Sequence, residues 1–301
     1  MNISVKIAHS VFPNPVTVAS GTFGHSEELY AAKEVKCLGA VMPKTVTLHA
    51  QEGNPPRRIC ETPSGMINAI GIENPGIDRF IADKLPKLKK IGVPVMVSIS
   101  AHSEDDFALM AEKLNAAGGL AAIELNLSCP NLQKKILVAQ SAEATAAVVK
   151  RVKAVSQYPV IAKLTPNVTD IVEIAIAAES AGADAISMVN TFAAMAIDVH
   201  KRRSRIGNFT GGLSGPAIRP IAVRMVCQTA PRIKIPIIGM GGIATTNDAL
   251  EFLIAGATMV AVGTYNFVNP KAPFEILQGI KAYMKTHKMT DIRELIGSIQ
   301  R

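Results

Sequence analysis

The chain has 301 residues, of which 48% are hydrophobic, and its formal net charge is +8. No apolar run approaches the roughly 18 residues of a membrane-spanning helix, and the N-terminus lacks the apolar stretch and cleavage site of a signal peptide, so we expect a cytoplasmic protein without membrane contact. Aromatic residues make up only 4%, which leaves few surfaces for stacking bases, and we expect the basic clusters on solvated faces with no nucleic-acid partner.

The first quarter of the chain predicts short strands and one long insertion. Loose alternation predicts a hairpin, and Asn14-Pro15 then turns the chain into an apolar strand. The insertion is rich in proline, glycine and asparagine, and insertions of this length inside a domain are commonly functional. In chain order we expect a hairpin at 2–12, a strand at 16–20, a helix at 27–35, a strand at 38–44 and a loop at 46–78.

The rest of the chain alternates short apolar runs with helical stretches. The apolar runs predict parallel strands that are covered on both sides. Predicted strands follow at 93–100, 121–127, 159–165, 184–190, 235–240 and 258–262. Predicted helices follow at 104–117, 142–156, 169–181, 217–229 and 246–255, with two more at the end and a second long loop at 192–215.

Eight strands that each precede a helix predict one (β/α)8 TIM barrel. We expect a single domain over residues 1–301, with an N-terminal β-hairpin and long loop insertions at the C-terminal mouth. A doubly wound sheet is the alternative fold. It is disfavoured because no dinucleotide-binding glycine fingerprint follows the first strand.

The stretch Ile123-Glu-Leu-Asn-Leu-Ser-Cys-Pro-Asn131 begins as a strand and ends in polar groups. Pro130 stops the strand, and the thiol of Cys129 then lies beside amides and a hydroxyl at the predicted mouth. This position favours a base or nucleophile. Cys37, Cys60 and Cys227 lie far apart from it without Cys-x-x-Cys spacing, so we expect no metal or iron–sulfur site on this chain.

The other predicted strands also end in polar residues or glycine. Glycine at the last two strand ends predicts a phosphate site made of backbone N–H groups, and Ser214-Gly215 at a helix start could contribute another N–H group. Together they predict a phosphorylated ligand on one side of the mouth and a polar, planar substrate on the other. The strand ends are Ser20-Gly21, Lys44-Thr45, 98–100, Asn126–Asn131, Lys163, Asn190-Thr191, Gly241-Gly242 and Gly263-Thr264.

Two lysines and four asparagines suggest what such a ligand offers. Lys44 and Lys163 lie in apolar runs, where an unpaired ammonium would be costly, so a ligand anion is the expected partner. The asparagines at 68, 126, 131 and 190 lie in or beside strand-end motifs and suggest a ligand rich in carbonyl and N–H groups.

Taken together, these motifs resemble the class 1 dihydroorotate dehydrogenases, in particular the B-type catalytic subunits, over essentially the whole chain. The resemblance rests on the stretches Ala19-Ser-Gly-Thr-Phe-Gly24, Pro43-Lys-Thr45, Asn68-Ala-Ile-Gly71, Asn74-Pro-Gly76, Asn126-Leu-Ser-Cys-Pro-Asn131, Ala162-Lys-Leu-Thr-Pro-Asn167, Asn190-Thr191, Thr210-Gly-Gly-Leu-Ser-Gly-Pro216, Ile238-Gly-Met-Gly-Gly-Ile243 and Val262-Gly-Thr264.

The resemblance implies an FMN enzyme that oxidises (S)-dihydroorotate to orotate in pyrimidine biosynthesis. Cys129 would remove the C5 proton while hydride leaves C6 for flavin N5. The implied substrate residues are Lys44, Asn68, Ala69, Ile70, Gly71, Ile72, Asn126, Asn131, Asn190 and Thr191. The implied FMN residues are Ser20, Gly21, Lys44, Thr45, Ser98, Asn126, Lys163, Met188, Gly215, Gly241, Gly242, Gly263 and Thr264.

The resemblance also implies a partner chain that carries FAD and a 2Fe–2S cluster and passes electrons to NAD. The expected assembly is a heterotetramer, in which a homodimer of catalytic subunits binds two electron-transfer subunits. One residue and one segment of the chain depart from the family pattern. Ser98 replaces an asparagine that contacts flavin, which weakens one hydrogen bond by about 1 kcal/mol. Residues 132–139 replace a glycine-rich stretch in the loop expected to close over Cys129.

Three other functions fit the same residues. The first is an A-type-like or other flavin oxidoreductase of a related cyclic substrate, which a screen of electron acceptors would identify. The second is a flavin-free barrel lyase that forms a Schiff base on Lys44 or Lys163 and is trapped by borohydride. The third is a non-catalytic relative whose flavin absorbance does not change with dihydroorotate.

Overall fold

A computed structural model describes residues 1–22, 24, 33–128 and 138–300 of the chain. Within these residues the strands are β1 Val5–Ile7, β2 Ser10–Phe12, β3 Val16–Val18, β4 Ile59–Thr62, β5 Gly65–Asn68, β6 Met96–Ile99, β7 Ala122–Asn126, β8 Val160–Lys163, β9 Ala185–Met188, β10 Phe192–Ala194, β11 Ile197–Asp198, β12 Arg203–Ser204, β13 Gly211–Ser214, β14 Ile237–Met240 and β15 Met259–Val262.

The described helices are α1 Ile77–Arg79, α2 Leu85–Lys90, α3 Glu104–Ala117, α4 Ala142–Lys153, α5 Ile171–Ser180, α6 Arg219–Thr229, α7 Thr246–Ala255 and α8 Ala272–Thr286. A π-helical turn at Phe80–Lys84 joins α1 to α2. Short 3-10 turns lie at Lys33–Cys37, Val138–Gln140, Pro216–Ile218, Ala230–Arg232, Thr264–Phe267 and Ile292–Glu294.

Seven parallel strands form a curved sheet in the order β3-β15-β14-β9-β8-β7-β6. Residues 39–46 fill the space between its two edges. On one side the Gly39 amide donates to the Val16 carbonyl over 2.8 Å, and on the other Val41 and Val46 form parallel bridges to Val95 and Ile99. These residues provide the second of eight strand positions, and the barrel predicted from the sequence is confirmed. In barrel order the positions are β3, residues 39–46, β6, β7, β8, β9, β14 and β15.

The amino-acid sequence explains why the strands are buried and where the helices begin and end. Strands β6, β8, β9, β14 and β15 are buried at every position, as expected of parallel strands covered by helices. Helix α3 starts where the Ser103 side chain accepts a hydrogen bond from the Asp106 amide, and it ends at Gly118. As a result, the strand ends that carry the polar residues all open on one mouth.

The two long segments predicted as loops contain a second sheet. Strands β10, β13, β5 and β4 pair antiparallel in that order, and β11 and β12 form a separate hairpin. The prediction of irregular structure at 46–78 and 192–215 was therefore wrong in these parts. The strands are short, and β5 and β13 contain glycine, which hides their pattern. Glycine is needed here, because a Cβ on Gly65 would lie 2.1 Å from the Ser214 carbonyl oxygen.

Other differences from the sequence prediction are local. Residues 38–44 contain one isolated bridge, at Val41, rather than a continuous strand. Helices α1 and α2 were not predicted, and the chain ends in α8 and one 3-10 turn instead of two helices. Of the helix expected at 27–35, residues 27–32 lie outside the described part of the chain, and Lys33–Cys37 is a 3-10 turn. Among the described residues, no helix is long and apolar enough to cross a membrane.

Candidate active site

Three hydroxyl groups from the first three barrel positions meet at the mouth. Thr45 Oγ1 donates to Ser20 Oγ over 3.2 Å and shares a hydrogen bond of 3.0 Å with Ser98 Oγ. Ser98 is fully buried, so its hydroxyl group is used within the protein. The structure therefore brings these three predicted FMN residues together.

Lys163 reaches the same hydroxyl cluster from the opposite side of the barrel. Its Nζ donates to Ser20 Oγ over 3.3 Å and forms an ion pair of 3.4 Å with Glu124 Oε1. The other carboxylate oxygen of Glu124 accepts a hydrogen bond of 2.8 Å from Ser187 Oγ. Both charged side chains are buried, Glu124 completely, and their attraction is therefore weakly screened by water.

A second ammonium group, that of Lys44, lies near the first. Burial lowers the pKa of Lys44, the Lys163 charge lowers it further, and Glu73 opposes both effects. Gly21, whose φ is +81°, passes so close that a Cβ there would lie 3.2 Å from Lys44 Nζ. Two lysines beside one buried carboxylate leave a surplus of positive charge at the mouth.

Side-chain amides form a second cluster across the ends of β7 and β9. Asn190 Nδ2 donates to Ser128 Oγ over 2.9 Å and to Asn126 Oδ1 over 3.3 Å. The Thr191 amide donates to Asn190 Oδ1 over 2.8 Å. These bonds fix the amide planes of two predicted substrate residues on the side of the mouth where the chain enters residues 129–137.

Asn68 joins this cluster through strand β13. Its Nδ2 donates to the Gly212 carbonyl oxygen over 3.2 Å, and Gly212 packs against the Thr191 side chain. The following residues 69–72 have positive φ at Gly71 and at Ile72, and their backbone is held by Asn54, whose amide donates to the Ile70 carbonyl oxygen over 2.9 Å. The sheet of β10, β13, β5 and β4 thus brings Asn68 close to Thr191 at the barrel mouth.

Glycines and hydroxyl groups meet at the ends of β13, β14 and β15. A Cβ on Gly242 would lie 2.8 Å from the Gly215 carbonyl oxygen, and Gly241 and Gly242 have φ values of +125° and +79°. Thr264 Oγ1 donates to Ser214 Oγ over 2.8 Å. At Gly263 a Cβ would approach only Ala19, at 3.6 Å. The predicted anion-binding residues therefore come together, and the positive φ values require glycine at 215, 241 and 242.

Besides residues 69–72, three predicted residues have no described contact with these clusters. Met188 is fully buried at the end of β9, opposite Gly239 of β14. Cys129 and Asn131 lie outside the described residues, as do residues 132–137 of the loop expected to close over Cys129. Among the described residues, no group of three or more His, Cys, Asp or Glu side chains could hold a metal ion.

Comparison with known sequences assigns the family. The family model described as dihydroorotate dehydrogenase matches residues 2–284. The chain belongs to the dihydroorotate dehydrogenase family. The protein from Desulforudis audaxviator named dihydroorotate dehydrogenase B (NAD(+)), catalytic subunit, is 50% identical over 299 residues, which cover 99% of this chain and 97% of that protein.

Two further relatives in the dihydroorotate dehydrogenase family carry the same name. The protein of Desulforamulus reducens is 48% identical over 299 residues, covering 99% of this chain and 98% of that protein. The protein of Porphyromonas gingivalis is 50% identical over 287 residues, covering 95% and 94%. The sequence resemblance to this family is thereby confirmed.

Membership of the dihydroorotate dehydrogenase family implies a flavin, and the observed residues fit one. Lys44 and Lys163 supply positive charge for an electron-rich ring system, and the glycine-rich ends of β14 and β15 leave backbone N–H groups for a phosphate. The hydroxyl cluster offers further donors and acceptors between these two regions.

Glu124 and Ser187 were not predicted as site residues from the sequence, and Ser214 was expected only to contribute a backbone amide. A signal for Glu124 was present, because it is the one charged residue in the apolar run 121–127 and lies two positions before Asn126. Residues two apart in a strand share a face, so the Glu124 side chain is expected on the same face of the strand as that of Asn126. Ser187 gives no comparable signal, since a buried serine in a strand is common.

Proposed function

We propose that this chain is the catalytic subunit of a B-type, NAD-linked dihydroorotate dehydrogenase, which oxidises (S)-dihydroorotate to orotate in de novo pyrimidine biosynthesis. The observation that carries this proposal is the pair of ammonium groups of half-buried Lys44 and buried Lys163, with Lys163 in register with Asn126 of the amide cluster that Asn126 forms with Asn190. The named full-length relatives support the reaction and its acceptor.

The substrate is an anionic ring with carbonyl and N–H groups around its edge, and it becomes planar on oxidation to orotate. Lys44 would bind its carboxylate, and the side chains of Asn68, Asn126, Asn131, Asn190 and Thr191 would hydrogen-bond its edge, with the backbone of residues 69–72 closing one side. Fixed amide planes favour such a ring, because a mismatched ring would leave buried polar groups without partners. Cys129 would accept the proton from C5.

FMN, when bound, would accept hydride from the substrate. Lys163 would then hold its positive charge at the edge of the ring system where negative charge develops. Phosphate would bind at Gly215, Gly241, Gly242, Gly263 and Thr264. Ser20, Gly21, Thr45, Ser98 and Met188 would line the space between. Because Ser98 already bonds Thr45, it would position that hydroxyl group rather than replace an asparagine contact.

We further propose a partner chain with FAD and a 2Fe–2S cluster, assembled with this chain as a heterotetramer around a homodimer of catalytic subunits. The relatives' name, catalytic subunit, supports a separate electron-transfer chain. The clusters described above are built from residues throughout the chain, which supports one barrel domain over residues 1–301. A cytoplasmic location fits this assignment.

The test is the visible absorption spectrum of the purified chain before and after anaerobic addition of dihydroorotate. A flavin band that bleaches supports both the cofactor and the half-reaction, and bleaching followed by reoxidation with NAD only after the partner chain is added supports the B type. A flavin band that persists contradicts the substrate. If added FMN does not bind, borohydride trapping on Lys44, whose pKa is lowered, tests the Schiff-base lyase instead.

A further inference from the structure

The buried carboxylate of Glu124 has no role in the proposed reaction, although it lies inside the barrel next to a residue that does. It is fully buried in β7. One oxygen lies 3.4 Å from Lys163 Nζ, and the other accepts the hydrogen bond from Ser187. Among the described residues, Glu124 is the carboxylate that forms an ion pair with Lys163.

We propose that Glu124 is a positioning residue that fixes the Lys163 ammonium and offsets its charge, and thereby makes a bound flavin harder to reduce. This inference rests on the proposed function, because it takes Lys163 as a flavin contact. It assigns to Glu124 control of the reduction potential rather than a contact with substrate or flavin.

Geometry supports the positioning role. Lys163 is the last residue of β8, in register with Asn126 of β7 and Ser187 of β9. Its long, flexible side chain would have many conformations without anchors. Glu124 and Ser20 hold the ammonium from two directions, at 3.4 Å and 3.3 Å. Ser187 in turn anchors the carboxylate, so the direction of the ammonium is set by side chains from three other strand positions.

Charge supports the effect on reduction. A reduced flavin carries more negative charge than an oxidised one, and cations near it favour reduction. The Lys163 charge reaches beyond its own contacts, since it contributes to the lowered pKa of Lys44. A carboxylate held next to this ammonium cancels part of its field in a weakly screened interior. Removing the carboxylate charge leaves the site more positive.

The decisive variant is Glu124→Gln, which keeps the size of the side chain and can still bond Ser187. Reduction potentials of the FMN-loaded proteins are measured by titration with dithionite and a reference dye. We expect the equilibrium of Glu124→Gln to shift at least tenfold toward reduced flavin, which equals about 30 mV for a two-electron couple. A shift below twofold, or a shift toward oxidised flavin, would overturn the proposal.

A double-variant cycle tests whether the effect passes through Lys163. In the Lys163→Met background there is no ammonium for the Glu124 carboxylate to fix or to offset, so an effect that passes through Lys163 is absent. We therefore expect Glu124→Gln to shift the equilibrium between oxidised and reduced flavin less than twofold in that background. An equal shift in both backgrounds would show that Glu124 acts on the flavin directly and would overturn the positioning role.

The matched control is Asp184→Asn at the far end of the barrel, where Asp184 pairs with Lys153 at 2.7 Å and accepts a hydrogen bond from the Val160 amide. Asp184→Asn should lower the stability of the protein while shifting the equilibrium between oxidised and reduced flavin less than twofold. Should Glu124→Gln fail to fold, Glu124→Asp draws the carboxylate back by one methylene. That variant should shift the equilibrium two- to fivefold toward reduced flavin in the wild-type background and not at all with Lys163→Met; no shift in either would overturn the proposal.

The titration separates this inference from the proposed function, because dithionite replaces dihydroorotate as the reductant. If dihydroorotate fails to bleach the wild-type flavin, the assigned substrate is wrong while the Glu124 result stands. If the wild-type chain binds no flavin, both are wrong.

Discussion

The ammonium of Lys163 lies 3.3 Å from the Ser20 hydroxyl oxygen, although the two residues belong to strand positions that face each other across the barrel. Through Ser20 the contact continues to Thr45 and then to Ser98. On the other side it continues to Glu124 and Ser187. A single polar network thus connects six of the eight strand positions just below the mouth, and it includes four of the residues proposed to bind FMN.

Replacing Lys163 should affect stability and catalysis together. In Lys163→Met the Glu124 carboxyl group is left buried without its cation, which is expected to lower the free energy of unfolding by about 3–5 kcal/mol. Loss of charge at the developing anion should slow flavin reduction by dihydroorotate about 10²–10³-fold. Urea unfolding and stopped-flow absorbance measure the two effects.

The control for that variant is Lys153→Met, which breaks the partly exposed ion pair with Asp184. Exposed pairs contribute about 1 kcal/mol or less, and the flavin reduction rate should not change. Equal losses of stability in the two variants would mean that the buried pair with Glu124 is no more important than a surface pair.

Lys44 should make the stability of the flavin-free protein depend on alkaline pH. Burial and the Lys163 charge lower its pKa below the usual 10.5, so the unfolded chain binds more protons between the folded-state pKa and 10.5. The charged Lys44 side chain lowers the free energy of unfolding by its full amount below the folded-state pKa, and this loss of stability disappears as the pH rises toward 10.5. The wild-type free energy of unfolding should therefore rise with pH in this window relative to Lys44→Met.

Urea unfolding across the alkaline range, from neutral pH upward, measures that difference. Lys285→Met, at an exposed position on α8, is the control and should run parallel to the wild type. In the Lys163→Met background the rise should begin closer to 10.5, because the repulsion from Lys163 is gone. A wild-type curve that runs parallel to Lys44→Met would contradict the lowered pKa.

Local patterns were sufficient to predict the barrel. Helix α3 was predicted at its observed bounds, since an N-cap serine, three acidic residues and a terminal glycine all act within the segment. The strand ends were predicted for the same reason, because each polar residue directly follows its own apolar run. What these patterns predict is which residues face the mouth.

Contacts between distant segments could not be predicted in this way. The Lys163–Ser20 bond joins residues 143 positions apart, and the Glu124–Ser187 bond joins residues 63 apart. Strands β4, β5 and β13 were missed because their pairing, rather than their composition, makes them strands. Gly65 and Gly212 lower strand propensity, yet both are required where backbones and side chains approach closely.

Cys129→Ala tests the base inferred from the sequence motif. The variant should bind FMN normally, because no predicted phosphate or ring contact is lost, while anaerobic bleaching by dihydroorotate slows about 10²–10⁴-fold. The bleaching rate of Cys129→Ser, which keeps a weaker base, should fall between the rates of Cys129→Ala and the wild type. Cys227→Ala, at a partly exposed thiol on α6, serves as the matched control and should bleach at the wild-type rate. Normal bleaching in Cys129→Ala would remove this thiol from the mechanism.

Gly212→Ala should weaken substrate binding without affecting the cofactor. A Cβ at Gly212 would lie 2.0 Å from Thr191 Oγ1, so the threonine must move, and the Asn190 amide bonded to its backbone should move with it. Because these residues are proposed to bind the substrate edge, we expect the KM for dihydroorotate to rise about tenfold, the loss of about 1.4 kcal/mol of binding. The Kd for FMN should stay within twofold of the wild type.

The chain provides a closely matched control for this substitution. In Gly279→Ala on α8 the new Cβ would lie 1.9 Å from the Oγ1 of Thr246, which reproduces the same glycine–threonine clash between two outer helices. Both variants should lose stability to a similar degree in urea unfolding, since both force a threonine side chain to shift. Only Gly212→Ala should raise the KM. An equal rise in both would mean that the effect reflects general loosening of the barrel, and Thr191 would then have no specific part in holding the substrate.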